Sequence, residues 1–233
     1  QSYNFSFTEP WLGGKKPNSL TVSAFHSLFN STGASKYINT DQGKIINPSR
    51  SSMSIWGGSA GLGRRLKWPD NYFNMYTNVS YNHYDLINYN VFGFGNGLAN
   101  DLNFGINVSR NSVDAPIFPK QGSNFVFSAQ LTPPYSLFNG KNYENLSLQE
   151  RYRFIEYQKY KLTAEWFTQL THKKAAEGKE ARNLVLRTKV GYGFLGYYNN
   201  KVGYSPFERF YMGGSGISGF QNFVAREIIA LRG

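Results

Sequence analysis

The chain has 233 residues, 17% charged and 40% hydrophobic, a balance that suits a folded protein rather than a disordered tail. Its 25 Lys and Arg against 14 Asp and Glu give a formal charge of +11, but the cations are scattered through the chain rather than gathered into a stripe, which argues against nucleic-acid binding. Cysteine is absent, so disulfides and thiolate metal sites are excluded.

No run approaches the roughly 18 apolar residues of a spanning helix. A membrane β-strand needs only about 9 to 11 residues and shows lipid only alternate side chains, so a barrel keeps a low mean hydropathy. The observed mean is -0.47, alongside 19 Phe, 17 Tyr and 4 Trp. The N-terminal Gln1-Ser2-Tyr3-Asn4 carries no signal peptide, as expected of a mature secreted protein or an internal fragment alike.

The dominant period is 2. Tyr3, Phe5 and Phe7 alternate with Asn4, Ser6 and Thr8; Leu20 to Leu28 follows less strictly, and Ser52 to Leu62 is a glycine-rich strand. There, Gly57, Gly58, Gly61 and Gly63 either admit a close approach or a bend, or merely weaken the strand. Phe73 to Tyr81 comes next, and then the strictest case: Leu102, Phe104, Ile106 and Val108 against Asn103, Gly105, Asn107 and Ser109. Phe125, Phe127, Ala129 and Leu131 oppose Asn124, Ser128 and Gln130. Tyr160, Leu162, Ala164 and Trp166 oppose Lys161, Thr163 and Glu165, and Leu184, Leu186, Val190 and Tyr192 oppose Arg187, Lys189 and Gly191. The pattern predicts about eight strands.

The connections are expected to alternate in length. Pro10 to Ser19, Arg65 to Asn71, Ser112 to Ser123 and Thr171 to Asn183 read as short; Asn30 to Ser51, Asp85 to Asp101, Pro133 to Lys159 and the stretch from Gly196 onward read as long. Short turns on one side and long loops on the other are the habit of outer-membrane barrels. A soluble β-sandwich also alternates, but bulky aromatics near strand ends, such as Tyr3, Tyr81, Trp166 and Tyr192, suit interfacial girdles.

Catalytic chemistry has little support, and no residue is assigned to catalysis, a cofactor or a metal. His26, His83 and His172 lie far apart, without ligand spacing. There is no nucleophile elbow, and Gly57 to Gly63 lacks the Lys-Ser or Lys-Thr of a phosphate loop. Glu144 to Tyr160, rich in charge, reads as a solvated loop with room for a short helix, and Lys173, Lys174, Lys179 and Arg182 make a basic turn.

The most specific signal is Pro206-Phe207-Glu208-Arg209-Phe210-Tyr211-Met212-Gly213-Gly214-Ser215-Gly216, followed by Leu231-Arg232-Gly233. Together with Asp114-Ala115-Pro116-Ile117-Phe118-Pro119-Lys120-Gln121-Gly122-Ser123 and the weaker Thr8-Glu9-Pro10-Trp11-Leu12, this run resembles the BamA-type outer-membrane insertase family, with the motifs in the family's order. One departure stands out: Ile217-Ser218-Gly219-Phe220 follows the Gly-Gly where many members carry Arg-Gly. The resemblance therefore places the loop tip at Leu231-Arg232-Gly233, after an insertion similar to the Bacteroidota form.

The resemblance implies an all-β, antiparallel transmembrane β-barrel. Residues 1–195 would be about strands four to eleven of sixteen, and residues 196–233 a re-entrant loop whose motif residues are Phe210, Tyr211, Gly213, Gly214, Phe220, Leu231, Arg232 and Gly233. It further implies residence in the bacterial outer membrane and a non-enzymatic, cofactor-free role in folding and inserting outer-membrane proteins. The implied partners are outer-membrane lipids and lipopolysaccharide, client outer-membrane proteins, and accessory lipoproteins of the assembly complex, BamD-like or surface-exposed, with no nucleic acid. The alternative is a transport barrel: a two-partner secretion transporter, a TamA-like protein or a porin.

Overall fold

The computed structural model describes residues 1–14, 18–40, 43–89, 95–171 and 183–210. Ten strands are described: β1 (Ser2–Glu9), β2 (Asn18–Asn30), β3 (Tyr37–Thr40), β4 (Gly43–Ile46), β5 (Ser52–Arg65), β6 (Phe73–Ile87), β7 (Gly97–Asn111), β8 (Gly122–Leu131), β9 (Gln158–Gln169) and β10 (Val185–Gly196). Eight of them form one sheet in the order β1-β2-β5-β6-β7-β8-β9-β10, each antiparallel to its neighbour, and β3-β4 is a separate hairpin. Every alternating segment of the sequence becomes a strand of this meander.

The register divides the side chains as the alternation requires. Phe104 and Ile106 are 46% and 44% exposed, whereas Asn103, the residue before Phe104, is buried. Tyr3, Phe5, Phe7, Val22, Leu62, Val79, Phe127, Leu162, Trp166, Leu186, Val190 and Tyr192 share the outward face. The opposite face is polar and cross-linked: Thr8 to Thr21 at 3.2 Å, Ser23 to Ser59 at 2.8 Å, Ser80 to Asn103 at 2.8 Å and Asn107 to Ser128 at 2.9 Å. An apolar outer face and a hydrogen-bonded polar inner one mark a barrel wall with lipid outside and a lumen inside. No described helix is long and apolar enough to cross a membrane.

The glycines of β5 have a definite use. Gly57, Gly61 and Gly63 face the lumen, and a Cβ on Gly61 would collide with the Tyr76 hydroxyl, just as one on Gly57 would meet the Tyr81 carbonyl. Close approach, not weakness, accounts for them.

The meander gathers the connections 10–17, 66–72, 112–121 and 170–184 at one end and 31–51, 88–96 and 132–157 at the other. The expected loop Asp85 to Asp101 is corrected to 88–96, because β6 and β7 continue well past their apolar stretches; Leu86 and Ala99 are buried strand residues. Length therefore does not alternate strictly: 88–96 is shorter than 170–184. The charged stretch in loop 132–157 does hold a short helix, α2 (Leu148–Arg151), after α1 (Tyr135–Phe138). Ser147 caps it and Glu150 reaches back in a capping box.

Strand β8 stops pairing at Phe104–Leu131, so residues 97–103 of β7 run on without it. An open backbone edge invites unwanted pairing. Loop 132–157 occupies it: the Asn100 amide donates to the Arg153 carbonyl at 2.9 Å and the Ile155 amide to the Asn100 carbonyl at 2.8 Å. This pairing delivers Ile155 and Tyr157 into a buried cluster with Ala99, against which Tyr84, Leu195 and Phe207 pack.

Candidate functional site

The most elaborate contacts among the described residues lie where the chain leaves β10 and turns back along the inner wall. Residues 197–210 have no regular structure, yet side chains hold them at several points. The Tyr152 hydroxyl lies 3.2 Å from the Val202 carbonyl and 3.3 Å from that of Tyr204, and the rings of Tyr197 and Tyr204 meet edge-on at 4.9 Å. Lys201 pairs with Glu144 at 2.9 Å; its hydrogen bond and charge hold that carboxyl below the ordinary carboxylate range. Both groups are exposed, so this pair contributes little.

Deeper contacts carry more. Phe207 stacks on Tyr84 of the wall at 4.9 Å between centroids. Glu208 accepts a 2.7 Å bond from Lys159 on β9, and the same ammonium lies 5.1 Å from the centre of the Phe210 ring. That ring covers Gly193 so closely that a Cβ there would stand 2.9 Å from two of its carbons. Lys159 and Gly193 both project inward, since they share the register of Gln130 and Lys161. Thus a cation, an anion, an aromatic ring and a missing side chain form one clamp on the β9–β10 wall.

Beside it the wall keeps polar atoms in reserve. Asp101, buried on β7, accepts from Asn103 at 3.1 Å and Asn82 at 3.5 Å through one oxygen, while Asp101 Oδ1 and the Tyr157 hydroxyl have no partner among the described residues. Glu156 is buried too, and is satisfied by the Ser136 amide at 2.9 Å and the Ser136 hydroxyl at 2.6 Å. Among the described residues the arrangement positions a segment of chain against the wall.

Of the motif residues read from the sequence, Phe210 is placed on the inner wall; Tyr211, Gly213, Gly214, Phe220, Leu231, Arg232 and Gly233 lie outside the described residues. The basic turn Lys173, Lys174, Lys179 and Arg182 and His172 lie outside them as well. Sequence reasoning quoted Glu208 and Lys159 without pairing them, and passed over Gly193, Tyr84 and Phe207 as partners. Only the glycine inside an otherwise regular strand pattern hinted at a close approach.

Fold and site together define a transmembrane β-barrel wall of the bacterial outer membrane, with a segment folded back against its inner face. The Omp85 superfamily domain model matches residues 1–226, and the chain belongs to that superfamily. Among solved structures, the fold is similar to that of BamA from Haemophilus ducreyi lacking POTRA domains 1-3, with a TM-score of 0.58 at 19% identity over 92% of this chain. The chain spans 36% of the length of that structure. No curated protein matches the sequence.

Proposed function

We propose that this chain is the central part of the barrel of a BamA-type insertase, which folds and inserts other outer-membrane proteins. The observation that carries this reading is the clamp of Lys159, Glu208, Phe210 and Gly193, which starts a re-entrant segment along the lumen wall. A simple pore has no need to fix that segment so firmly at its origin. Residues 1–195 serve as wall and residues 196–233 as the re-entrant loop, with Leu231-Arg232-Gly233 at its tip. Arg232 pairs there with a carboxylate of a later strand, because an enclosed guanidinium requires one. Connections 31–51, 88–96 and 132–157 face the cell exterior.

In this reading the first and last strands of the complete barrel part at a weak seam. Client strands add by backbone pairing at the opened edge, and no covalent step or cofactor takes part. This chain supplies the stable wall opposite or beside that seam, together with the loop that plugs the lumen. The partners are client outer-membrane proteins, lipopolysaccharide and other outer-membrane lipids, and BamD-like or surface-exposed accessory lipoproteins.

A transport barrel is the second reading, and the polar inner positions Asn103, Asn107, Arg187 and Lys189 suit either. Depletion in the producing cell separates the two. An insertase predicts a fall in many unrelated outer-membrane barrels together; a transporter predicts their normal levels and the loss of one exported substrate.

A further inference from the structure

The inner wall holds one buried carboxylate that its described neighbours only half satisfy. Asp101 on β7 faces the lumen opposite Asn82 of β6 and is 3% exposed. Its Oδ2 accepts from Asn103 at 3.1 Å and from Asn82 at 3.5 Å, while Oδ1 has no partner among the described residues. The hydroxyl of Tyr157, a residue with no exposed surface, is likewise unpartnered among them and lies within electrostatic reach of that carboxylate. A carboxylate oxygen and a hydroxyl withdrawn from water are each costly without a partner. Together they call for a donor.

Charge decides what kind of donor. No ion pair among the described residues includes Asp101, and the charge that acts on it is another anion, Glu208. Lys159, the cation of the clamp, is engaged by Glu208 at 2.7 Å. The two side-chain amides that reach Asp101 are neutral, so its charge has no counterpart, and buried charges are held when they are paired. A guanidinium carries several N–H donors in a fixed fork. It can meet Asp101 Oδ1 and the Tyr157 oxygen at once.

The chain that continues from the clamp contains such a group. Residues 197–210 already pass this place: Phe207 stacks on Tyr84 at 4.9 Å, and both pack on the cluster of Ala99, Ile155 and Tyr157. Residues 211–233 follow directly, and their cations are Arg226 and Arg232, with no lysine. Arg232 is taken by the loop tip and its carboxylate on a later strand, as proposed above. Arg226 is left. It stands sixteen residues beyond Phe210, and Gly213, Gly214, Gly216 and Gly219 lie between them to let the backbone double back.

We propose that Arg226 docks on Asp101 Oδ1 and the Tyr157 hydroxyl, anchoring the returning arm of the re-entrant loop to β7. The inference rests on the reading of residues 196–233 as that loop. It gives the loop a second hold on the wall, with β8 lying between this strand and the clamp on β9 and β10. A segment fixed at two separate strands cannot swing about either one. Tyr157 is brought to the site by the pairing of Ile155 with Asn100, so the contact also ties loop 132–157 to the re-entrant loop.

The experiment treats the purified full-length protein in detergent with a protease that cuts after aromatic residues, and times cleavage at Phe220 and Phe223 by mass spectrometry. Neither site is altered by the substitutions, and heat-modifiable gel mobility shows that each variant is folded. Wild type should resist cutting. Asp101→Asn, which keeps an acceptor for Asn103, and Arg226→Gln should each speed cleavage by at least about tenfold, and the two together no further. Arg226→Gln changes no strand, so it reads the contact even where Asp101→Asn impairs folding. Arg232→Gln should instead multiply the effect of Asp101→Asn, as independent contacts do. Unchanged cleavage in Arg226→Gln, effects of Asp101→Asn and Arg226→Gln that multiply, or coupling of Asp101 to Arg232 in place of Arg226 would overturn the pairing alone. Immediate cutting of wild type at both sites would overturn the re-entrant reading and the pairing with it.

Discussion

Adding a single methyl group at Gly193 tests whether the clamp on the re-entrant segment is real. An alanine Cβ would stand 2.9 Å from Phe210 Cε1 and Cζ, whereas carbon atoms settle at about 3.5 to 4.0 Å, so the ring must retreat by nearly 1 Å. Its contact with the Lys159 ammonium, now 5.1 Å from the ring centre, loosens with it. Overpacking of this kind costs about 1 to 3 kcal/mol, while replacing glycine by alanine inside a strand returns roughly 0.5 to 1 kcal/mol. Gly193→Ala should therefore destabilise by up to about 2.5 kcal/mol. Gly191 is the matched control: it faces the same lumen two residues earlier and has nothing within 4 Å of its missing Cβ. Gly191→Ala should be neutral or slightly stabilising. Urea unfolding in detergent, read by heat-modifiable gel mobility, measures the difference, and limited proteolysis reports whether 197–210 has loosened. Equal stability and equal protease resistance in the two variants would refute the packing of Phe210 on Gly193.

Other outcomes follow from the same geometry. Lys159 and Glu208 are 19% and 26% exposed, between the surface and buried regimes, so a double-mutant cycle with Lys159→Met and Glu208→Gln should show a coupling of about 1 to 2 kcal/mol; zero coupling would remove the pair from the clamp. Ile106→Arg should cost about 2 to 4 kcal/mol in a bilayer, and Asn107→Arg, one residue on but facing the lumen, far less; equal costs would invert the faces. The amides of Lys120, at 3.0 Å, and Gln121 hold the Asp114 carboxyl below its ordinary 3.8. Its folded value being the lower, its stabilisation is complete above the ordinary value and is lost as pH falls through the folded one. Protease cutting in 112–121 should thus rise in acid for wild type and not for Asp114→Asn, and identical acid profiles would exclude the carboxylate. Epitope tags at Gly43 and Gly140 should be reached on intact cells; tags hidden until lysis would reverse the orientation.

The alternation was legible because lipid outside and polar contacts inside impose one side chain per face, and Leu102 to Ser109 shows that rule with no competing demand. It failed above Tyr81 and before Leu102, where the strands rise past the apolar band. There Ala99 and Tyr84 pack with Ile155 and Tyr157 of loop 132–157, and Asn82 bonds to Asp101 on the same inner face. The clamp was legible only in part. Phe210 stood in a recognisable run, but its partners Lys159 and Gly193 are remote in sequence and ordinary in type. What joins them is the register of β9 against β10 and the return path of 197–210, neither of which leaves a local periodic trace.

The central claim, that this barrel inserts other barrels, is tested most directly by reconstituting the full-length protein, with its accessory lipoproteins, in lipid vesicles and adding a urea-unfolded outer-membrane barrel as client. The account predicts that the folded, heat-modifiable client accumulates much faster than in empty vesicles, and more slowly again when the clamp is broken by Gly193→Ala with Glu208→Gln. Client folding no faster than in empty vesicles, from protein that is itself folded and conducts ions or a polar solute, would contradict it and leave a transport barrel.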